Sequence, residues 1–137
     1  MTTTDGSPSA QQFAAAGALL ETLAARDFAG LGTALEPDAT LSALLPRGFC
    51  EWQGAAEIAG AFEGWFGDAS EYEVVDTSVE QAGTRLRLRW RIRVCAPRHG
   101  DHAMVVEQHV YAETGASSRI STLSLLCSGF CKEQTAN

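Results

Sequence analysis

Residues 84–96 alternate between basic and apolar side chains, and this alternation constrains the fold more than any other part of the sequence. Arginine occupies every odd position from 85 to 93, while the even positions carry Leu86, Leu88, Trp90, Ile92 and Val94. Successive side chains of a β-strand point to opposite faces, so a period of two gives this strand one apolar and one cationic face. The sequence therefore predicts a sheet that other elements cover on one side only.

A second strand with the same alternation follows at residues 103–113, and the turn between the two lets them pair. The register that we predict sets these residues opposite each other: Arg85 and Glu113, Arg89 and His109, Trp90 and Gln108, and Arg91 and Glu107. Each exposed cross-strand ion pair contributes roughly 0.2 to 1 kcal/mol, so such a ladder sets register more than stability.

The cationic face has three interpretations. It is a solvated, charge-compensated surface, a two-fold contact between copies of the chain, or a site for an anionic ligand. The second interpretation predicts a homodimer through the outer face of the sheet, and the residues expected in that contact are Arg87, Arg89, Arg91, Glu107 and His109.

Helical periodicity is confined to the first half of the chain. Ser9 and Gln12 form a capping-box pattern before a first helix, and Asp27 caps a short second helix that extends through Leu35 until Pro37 ends it. The remaining predicted elements are a helix over residues 54–66 and strands over residues 39–45, 49–53, 72–81, 84–96, 103–113 and 119–130. Helices followed by antiparallel strands predict an α+β fold, with the helices packed on one face of a strongly bent sheet.

Length and charge bound the class of protein. A chain of 137 residues that is 45% hydrophobic can bury a core without metals or disulfides. We expect a flexible arm over residues 1–8, one domain over residues 9–131 and a tail over residues 132–137. Ten basic residues against seventeen acidic ones give a net charge of -7, which argues against a nucleic-acid partner and against an acidic membrane surface.

No apolar run approaches the ~20 residues of a membrane span, and the first ten residues lack the pattern of a signal peptide. A cytoplasmic protein is therefore expected, in which four reduced cysteines pack as small apolar side chains: Cys50, Cys95, Cys127 and Cys131. His99, Asp101 and His102 share one turn but lack a rigid spacing and a fourth ligand, so no metal site is predicted. No phosphate loop or nucleophile elbow occurs, and no cofactor is expected.

Two polar residues are the candidate functional groups. Gln108 is placed by parity on the otherwise apolar inner face, where a buried amide bonds either to core groups or to a ligand. Glu51 shares its parity with Phe49 and Gln53 and faces either solvent or the pocket, where a carboxylate could act as a general acid or base. The other residues expected in the pocket are Ser42, Phe62, Trp65, Trp90, Thr122 and Ser124.

Several strings, in their order along the chain, resemble the nuclear transport factor 2-like superfamily and its SnoaL-like bacterial members. The resemblance covers residues 11–130 and rests on Ala25-Arg26-Asp27-Phe28, Pro37-Asp38-Ala39-Thr40, the helix at residues 54–66, Val106-Glu107-Gln108-His109-Val110-Tyr111 and the strand at residues 119–130. It implies a cone-shaped α+β fold: three N-terminal helices packed on a strongly curved, mainly antiparallel sheet that encloses an apolar pocket. It also implies frequent dimerisation through the outer sheet face.

Members of the superfamily include ketosteroid isomerase, limonene epoxide hydrolase and polyketide cyclases, which use pocket carboxylates, beside binding proteins without catalysis. Where the resemblance places the general base of the isomerase, this chain has Ser42, Ala43 and Leu44, and near its oxyanion-hole tyrosine it has Leu19. The protonated carboxylic acid of the isomerase falls at Gln108, which keeps hydrogen-bonding capacity without the proton chemistry. In place of the last-strand aspartate of the hydrolases and cyclases this chain offers Ser121, Thr122 and Ser124.

Three functional hypotheses follow. The first is a cofactor-free enzyme of the cyclase or isomerase type, in which Trp90, Trp65 and Phe62 hold an apolar substrate, Gln108 orients it and Glu51 is the acid or base. The second is a ligand-binding or scaffold dimer of the same fold without chemistry, favoured by the missing carboxylates. The third is an epoxide hydrolase, which would need paired inner carboxylates to activate water.

Overall fold

Three α-helices and seven strands occur in the computed structural model, which describes residues 10–100, 102–115 and 117–133. The helices are α1 (Ala10–Ala24), α2 (Phe28–Leu31) and α3 (Ala55–Phe66), with 3₁₀ turns at Gly32–Ala34 and Pro97–His99. The strands are β1 (Leu35–Leu45), β2 (Gly48–Gln53), β3 (Glu71–Ala82), β4 (Arg85–Cys95), β5 (Ala103–Thr114), β6 (Ile120–Cys127) and β7 (Cys131–Lys132). Ser9, which was predicted to cap the first helix, and Asp101, in the turn with His99 and His102, lie outside the described residues.

The strands form one mixed sheet in the order β2-β1-β6-β5-β4-β3, and β7 pairs with β5. All pairings are antiparallel except that of β1 with β6, so β1, β4 and β6 run in the same direction. Register shifts leave extra residues in β1, β3 and β6, and such bulges bend a strand. Three helices on a curved, mainly antiparallel sheet confirm the predicted α+β fold class.

The predicted pairing of β4 with β5 is confirmed residue by residue, with Trp90 opposite Gln108 and Arg91 opposite Glu107. The apolar face of β4 is fully covered: Leu86, Leu88, Trp90, Ile92 and Val94 are all buried. Helices α1 and α3 supply the other half of this core through Leu19, Leu23, Ile58, Phe62 and Phe66. None of the described helices is long and apolar enough to cross a membrane.

The second helix is shorter than predicted. Asp27 caps it as expected and accepts a hydrogen bond from the Gly30 amide at 2.9 Å. The helix ends at Leu31, however, and Leu35 begins β1, where it is buried and lies beside Ile120 of β6. Strand pairing across the core therefore overrides the local helical spacing.

One arginine and one tyrosine join the helices to the sheet. Arg26 has a positive φ of 62° and donates to the carbonyl oxygens of Phe66, Gly67 and Ala69, which lie at the end of α3. The Tyr72 hydroxyl on β3 donates to the Leu23 carbonyl at 2.6 Å, and burial raises the pKa of Tyr72 well above its ordinary range. These bonds fix the ends of α1 and α3 over β3.

The outer face of β4 carries an ion-pair ladder, and its partners come from both neighbouring strands. Glu107 of β5 lies 2.8 Å from Arg91, as the predicted register implies. Asp76 of β3 lies 2.7 Å from Arg89, a pair that the sequence analysis did not assign. Further pairs are Arg85 with Glu113, Arg87 with Glu80, and Arg93 with Glu71 and Glu133. The ladder residues are thus compensated within one chain.

We expect this ladder to make stability fall in acid. Hydrogen bonds from His109 and Arg91 hold the pKa of Glu107 below its ordinary value, and Arg89 does the same for the pKa of Asp76. Because the folded pKa values lie below the unfolded ones, the contribution is present above the unfolded carboxyl pKa of about 4 and is lost as the pH falls through the folded values. Urea denaturation should therefore give a free energy of unfolding that drops below about pH 4.

The variant Glu107→Gln should lose part of this acid dependence, with a free energy of unfolding lower by roughly 0.5 to 1 kcal/mol at pH 7 and a smaller drop towards about pH 3. Glu21→Gln, on the exposed side of α1, is the matched control and should behave like the wild type. An acid-induced loss of equal size in wild-type and Glu107→Gln protein would contradict the role of the ladder.

Candidate functional site

A buried hydrogen bond between Trp90 and Gln108 forms the base of the site. Trp90 Nε1 donates to Gln108 Oε1 at 2.7 Å, and the two side chains are 0% and 1% exposed. An indole N–H only donates, so the amide must turn its oxygen towards Trp90. This bond therefore settles which end of the Gln108 amide is oxygen and which is nitrogen, a choice that depends on the hydrogen-bond network.

The amide nitrogen of Gln108 consequently faces the opposite way, towards β6. It donates to Cys127 Sγ at 3.4 Å, and Cys127 is the cross-strand neighbour of Gln108. A thiol sulfur is a weak acceptor, and the amide nitrogen carries two hydrogens. One strong N–H donor of Gln108 is therefore available to a ligand on this side.

A cavity of about 350 Å³ opens at this position. Its size lies at the lower end of the range for small-molecule sites, roughly 300 to 1,000 Å³. The β1–β2 turn, the 3₁₀ turn at Pro97–His99 and the chain after β6 surround it, and its lining residues are Leu45, Pro46, Arg47, Trp65, Arg98, Gln108, Cys127, Gly129 and Phe130. The carboxyl ends of the co-directional strands β1, β4 and β6 meet here.

Aromatic rings make the apolar walls of this cavity. Trp65 of α3 packs edge-on against Trp52 and Phe62, with ring centroids 5.6 Å and 5.0 Å away. On the other side, Phe130 lies against His99, with ring centroids 4.7 Å apart. Phe130 also lies edge-on to Phe66 of the core, with ring centroids 6.1 Å apart, so both walls pack against the core.

Gly129 lets the chain after β6 approach the β1–β2 turn. Its φ is +79°, and a Cβ at this position would lie 2.6 Å from Pro46 Cγ, closer than real carbon atoms approach. Glycine is thus required both by the backbone conformation and by the contact.

Two guanidinium groups stand at the rim. Arg98 donates to the Trp65 carbonyl oxygen, lies 3.6 Å from Asp68 Oδ2, and stacks over the Phe130 ring at 5.2 Å. Arg47 is exposed in the β1–β2 turn. Among the described residues that line the cavity there is no carboxylate. In the described ranges no group of three His, Cys, Asp or Glu side chains is arranged to hold a metal ion.

The structure separates the residues that the sequence placed in the pocket. Gln108 and Trp65 line the cavity, while Trp90 and Phe62 are fully buried behind its wall. The pocket hydroxyls were wrongly placed, since they all lie on the outer face: Ser42, Thr122 and Ser124.

The reason for this misplacement is the parallel register of β1 and β6. It aligns Ser42 with Ser124, and it sets the buried pair Leu41 and Leu123 on the inner face. Alternate residues of a strand point to the same face, and only one face of this sheet is covered. Because the leucines occupy that face, the neighbouring hydroxyl residues point outward.

Of the two orientations predicted for Glu51, the structure shows the one that faces solvent, so Glu51 does not line the cavity. Glu51 is exposed on the outer face of β2, where its carboxylate accepts a hydrogen bond from Ser42 Oγ at 3.3 Å. Trp52, the next residue, turns inward and packs on Trp65 instead. Burying the larger apolar ring fixes the parity of β2, and Glu51 is therefore not a group of this cavity.

Arg47, Arg98 and Phe130 line the cavity, although no sequence pattern had predicted them there. Both arginines follow a proline in a turn, Pro46 before one and Pro97 before the other. Only the shared direction of β1 and β4, which depends on the parallel pairing of β1 with β6, brings the two turns to the same end of the sheet.

The outer face also carries an apolar row beside the arginine ladder. Phe49, Leu44 and Leu126 are adjacent because Leu44 pairs with both of the others, and they are 64%, 50% and 54% exposed. Tyr111 is also largely exposed on this face, and His109 continues the row opposite Leu126. We call Phe49, Leu44, Leu126 and Tyr111 the apolar patch.

Solved structures of similar fold include three bacterial proteins. A candidate polyketide cyclase from Xanthomonas campestris pv. campestris superposes with a TM-score of 0.68 at 14% identity, covering 85% of this chain and 89% of that one. A candidate ketosteroid isomerase from Kribbella flavida gives 0.60 at 16% identity over 93% and 84% of the two chains. A cystatin-fold protein from Novosphingobium aromaticivorans gives 0.65 at 15% identity over 83% and 96%. At these identities the likeness shows the fold alone.

Sequence comparison identifies the family. No curated protein matches the chain. The family model of the SnoaL-like domain matches residues 16–122, which include most of α1, all of α2 and α3, and the strands from β1 to the first three residues of β6. The match spans well over half of the sequence and confirms the resemblance drawn from its local strings. The chain belongs to the SnoaL-like domain family.

Proposed function

We propose that this protein binds an apolar small molecule, without a cofactor, in the cavity that Gln108 lines. The rings of Trp65 and Phe130 contact the apolar body of the ligand, and Gln108 donates to an oxygen on it. The observation that carries the proposal is the Trp90–Gln108 hydrogen bond, because it leaves an oriented N–H inside an apolar cavity. Apolar walls with few convergent polar groups are the general form of a ligand site.

Binding is favoured over acid–base catalysis by the position of Glu51. That carboxylate lies on the outer face, and the lining of the cavity, as far as the chain is described, contains none. A general acid or base must come within hydrogen-bond reach of the substrate. The paired carboxylates that an epoxide hydrolase needs are likewise missing from the described lining.

A cofactor-free reaction of the cyclase or isomerase type is the second candidate. The Gln108 N–H favours it, since a preorganised donor in an apolar site stabilises an oxyanion that develops on a substrate carbonyl. Fold neighbours with candidate cyclase and isomerase names agree with such a reaction. Turnover of a bound carbonyl compound that is lost on removal of the Gln108 amide would favour catalysis over simple binding.

We further propose a cytoplasmic location. Two cysteines, Cys50 and Cys131, are exposed thiols in the structure. Exposed thiols persist in a reducing compartment.

A second proposal concerns the outer face, on which we infer a contact between two copies of the chain. The apolar patch is contiguous across β2, β1 and β6, and Tyr111 of β5 lies diagonally across from Leu126. Soluble monomers rarely expose large contiguous apolar areas. In a two-fold contact the same patch serves both partners, so apolar surface meets apolar surface. The adjoining ladder is charge-compensated within the chain, so it would not repel its copy.

The first test replaces Gln108 by methionine, which has a similar length, offers Trp90 a weak sulfur acceptor and has no donor. We expect Gln108→Met to weaken binding of 2-acetylnaphthalene, a neutral probe with one carbonyl acceptor, by about fivefold, as the loss of one neutral hydrogen bond predicts. Isothermal titration calorimetry measures the affinity, and urea denaturation reports the stability of the variant.

The matched control is Cys127→Ala, which removes the sulfur partner of the amide nitrogen but keeps the Gln108 N–H. Its affinity should equal or exceed that of the wild type. Equal affinities for wild-type and Gln108→Met protein would remove Gln108 from the site. Failure of the wild type to bind both this probe and its carboxylate analogue, 2-naphthoate, would overturn the proposed function.

The second test addresses the contact between copies. Leu126→Glu sets a charge in the apolar patch and should raise the dimer dissociation constant by roughly two orders of magnitude, because each contact then buries two unpaired charges. Sedimentation velocity should show a dimer for the wild type and a monomer for this variant. Val79→Glu makes a similar change at an exposed residue of the edge strand β3 and should remain dimeric. A monomeric wild type would refute the contact.

A further inference from the structure

We propose that the ligand of this cavity is an apolar carboxylate, whose anionic group pairs with Arg47 at the rim. The inference rests on the proposed function and adds the chemical class of the ligand to it.

The first support is that the oriented polar groups of the cavity are donors. Trp90 turns the nitrogen of Gln108 towards the cavity, and the two arginines carry donors but no acceptor. The Cys127 sulfur already accepts from Gln108 Nε2 and from the Gly129 amide. A ligand that satisfies these groups must bring acceptor oxygens.

The second support is the contrast in charge. The chain has a net charge of -7, yet the described lining residues include two cations and no anion. A site lined by one sign of charge within a molecule of the opposite sign selects ligands by charge.

The third support is that the guanidinium groups of the two arginines differ in their interactions within the protein. Arg98 is engaged by Asp68, the Trp65 carbonyl and the Phe130 ring. The guanidinium of Arg47 forms no hydrogen bond or ion pair with any residue in the described ranges. Each arginine of the β4 ladder, in contrast, has a carboxylate within 4.0 Å. Arg47 is therefore the cation that remains for a ligand.

One uncompensated guanidinium matches one negative charge. Its planar fork fits a carboxylate through two parallel hydrogen bonds. A phosphate monoester, with close to two negative charges, would need the second arginine as well, and Asp68 already lies beside that residue. The observations thus favour a carboxylate over a phosphate.

The experiment compares two probes of nearly the same shape: 2-naphthoate, which is ionised at about pH 7.5, and neutral 2-acetylnaphthalene. Calorimetric titrations are made with the wild type, Arg47→Gln and Arg119→Gln. Arg119 is an exposed arginine at the opposite end of β6, so its replacement makes the same change in net charge away from the cavity. Both substitutions lie on exposed turns, and thermal melting confirms that each variant is folded.

We expect the wild type to bind 2-naphthoate about tenfold more tightly than 2-acetylnaphthalene, as a charge-assisted pair predicts. Arg47→Gln should lower the affinity for 2-naphthoate to about that for 2-acetylnaphthalene, while Arg119→Gln should keep the preference for 2-naphthoate. Raising the salt concentration from about 0.05 M to about 0.5 M should reduce the difference in the wild type.

The outcomes separate the two proposals. Equal binding of both probes to the wild type would overturn the carboxylate inference and leave the proposed function standing. A preference for 2-naphthoate that survives in Arg47→Gln would overturn the assignment of Arg47. Binding of neither probe would overturn both proposals together.

Discussion

The side chain of Trp90 imposes the constraint on which the rest of the site depends. It is the largest fully buried side chain, and its indole N–H needs an acceptor inside an apolar core. Gln108 on the neighbouring strand supplies that acceptor, which requires the register that sets the two residues opposite each other. The same register places the arginines of β4 on the outer face. The Trp90–Gln108 hydrogen bond therefore requires this pairing of β4 with β5. It also orients the Gln108 amide, so that an N–H donor faces the cavity.

The two faces of the sheet differ in how their side chains are covered. The inner face is covered by α1 and α3, and its one buried polar side chain in the described part of the chain is Gln108. The outer face is open and divides into a charged half, where arginines of β4 lie between carboxylates of β3 and β5, and the apolar patch at β1, β2, β5 and β6. Exposed ion pairs add little to stability, so the charged half mainly excludes wrong registers and partners.

Strong two-residue alternation made β4 and β5 predictable, including the pairing of Trp90 with Gln108, because a fully one-sided strand has only one parity that buries its apolar residues. Weak alternation failed in β2 and β6. In these strands the sequence pattern allowed either face of the sheet for Glu51 and for the hydroxyl residues. Packing of Trp52 on Trp65 sets the orientation of β2, and the parallel pairing with β1 sets that of β6. The rim arginines escaped prediction for a related reason. Turns are brought together by strand direction, which is a property of the whole sheet and not of any local pattern.

The position of β6 has a consequence for biosynthesis. In the strand order it separates the hairpin of β1 and β2 from the meander of β3, β4 and β5, although it is the last long strand along the chain. While the protein is being translated, both groups of strands present unpaired backbone at the edges where β6 will insert, and such edges favour aggregation. The cavity takes residues from both groups and from the chain after β6. The cavity is therefore complete only in a chain in which β6 has joined the two groups of strands.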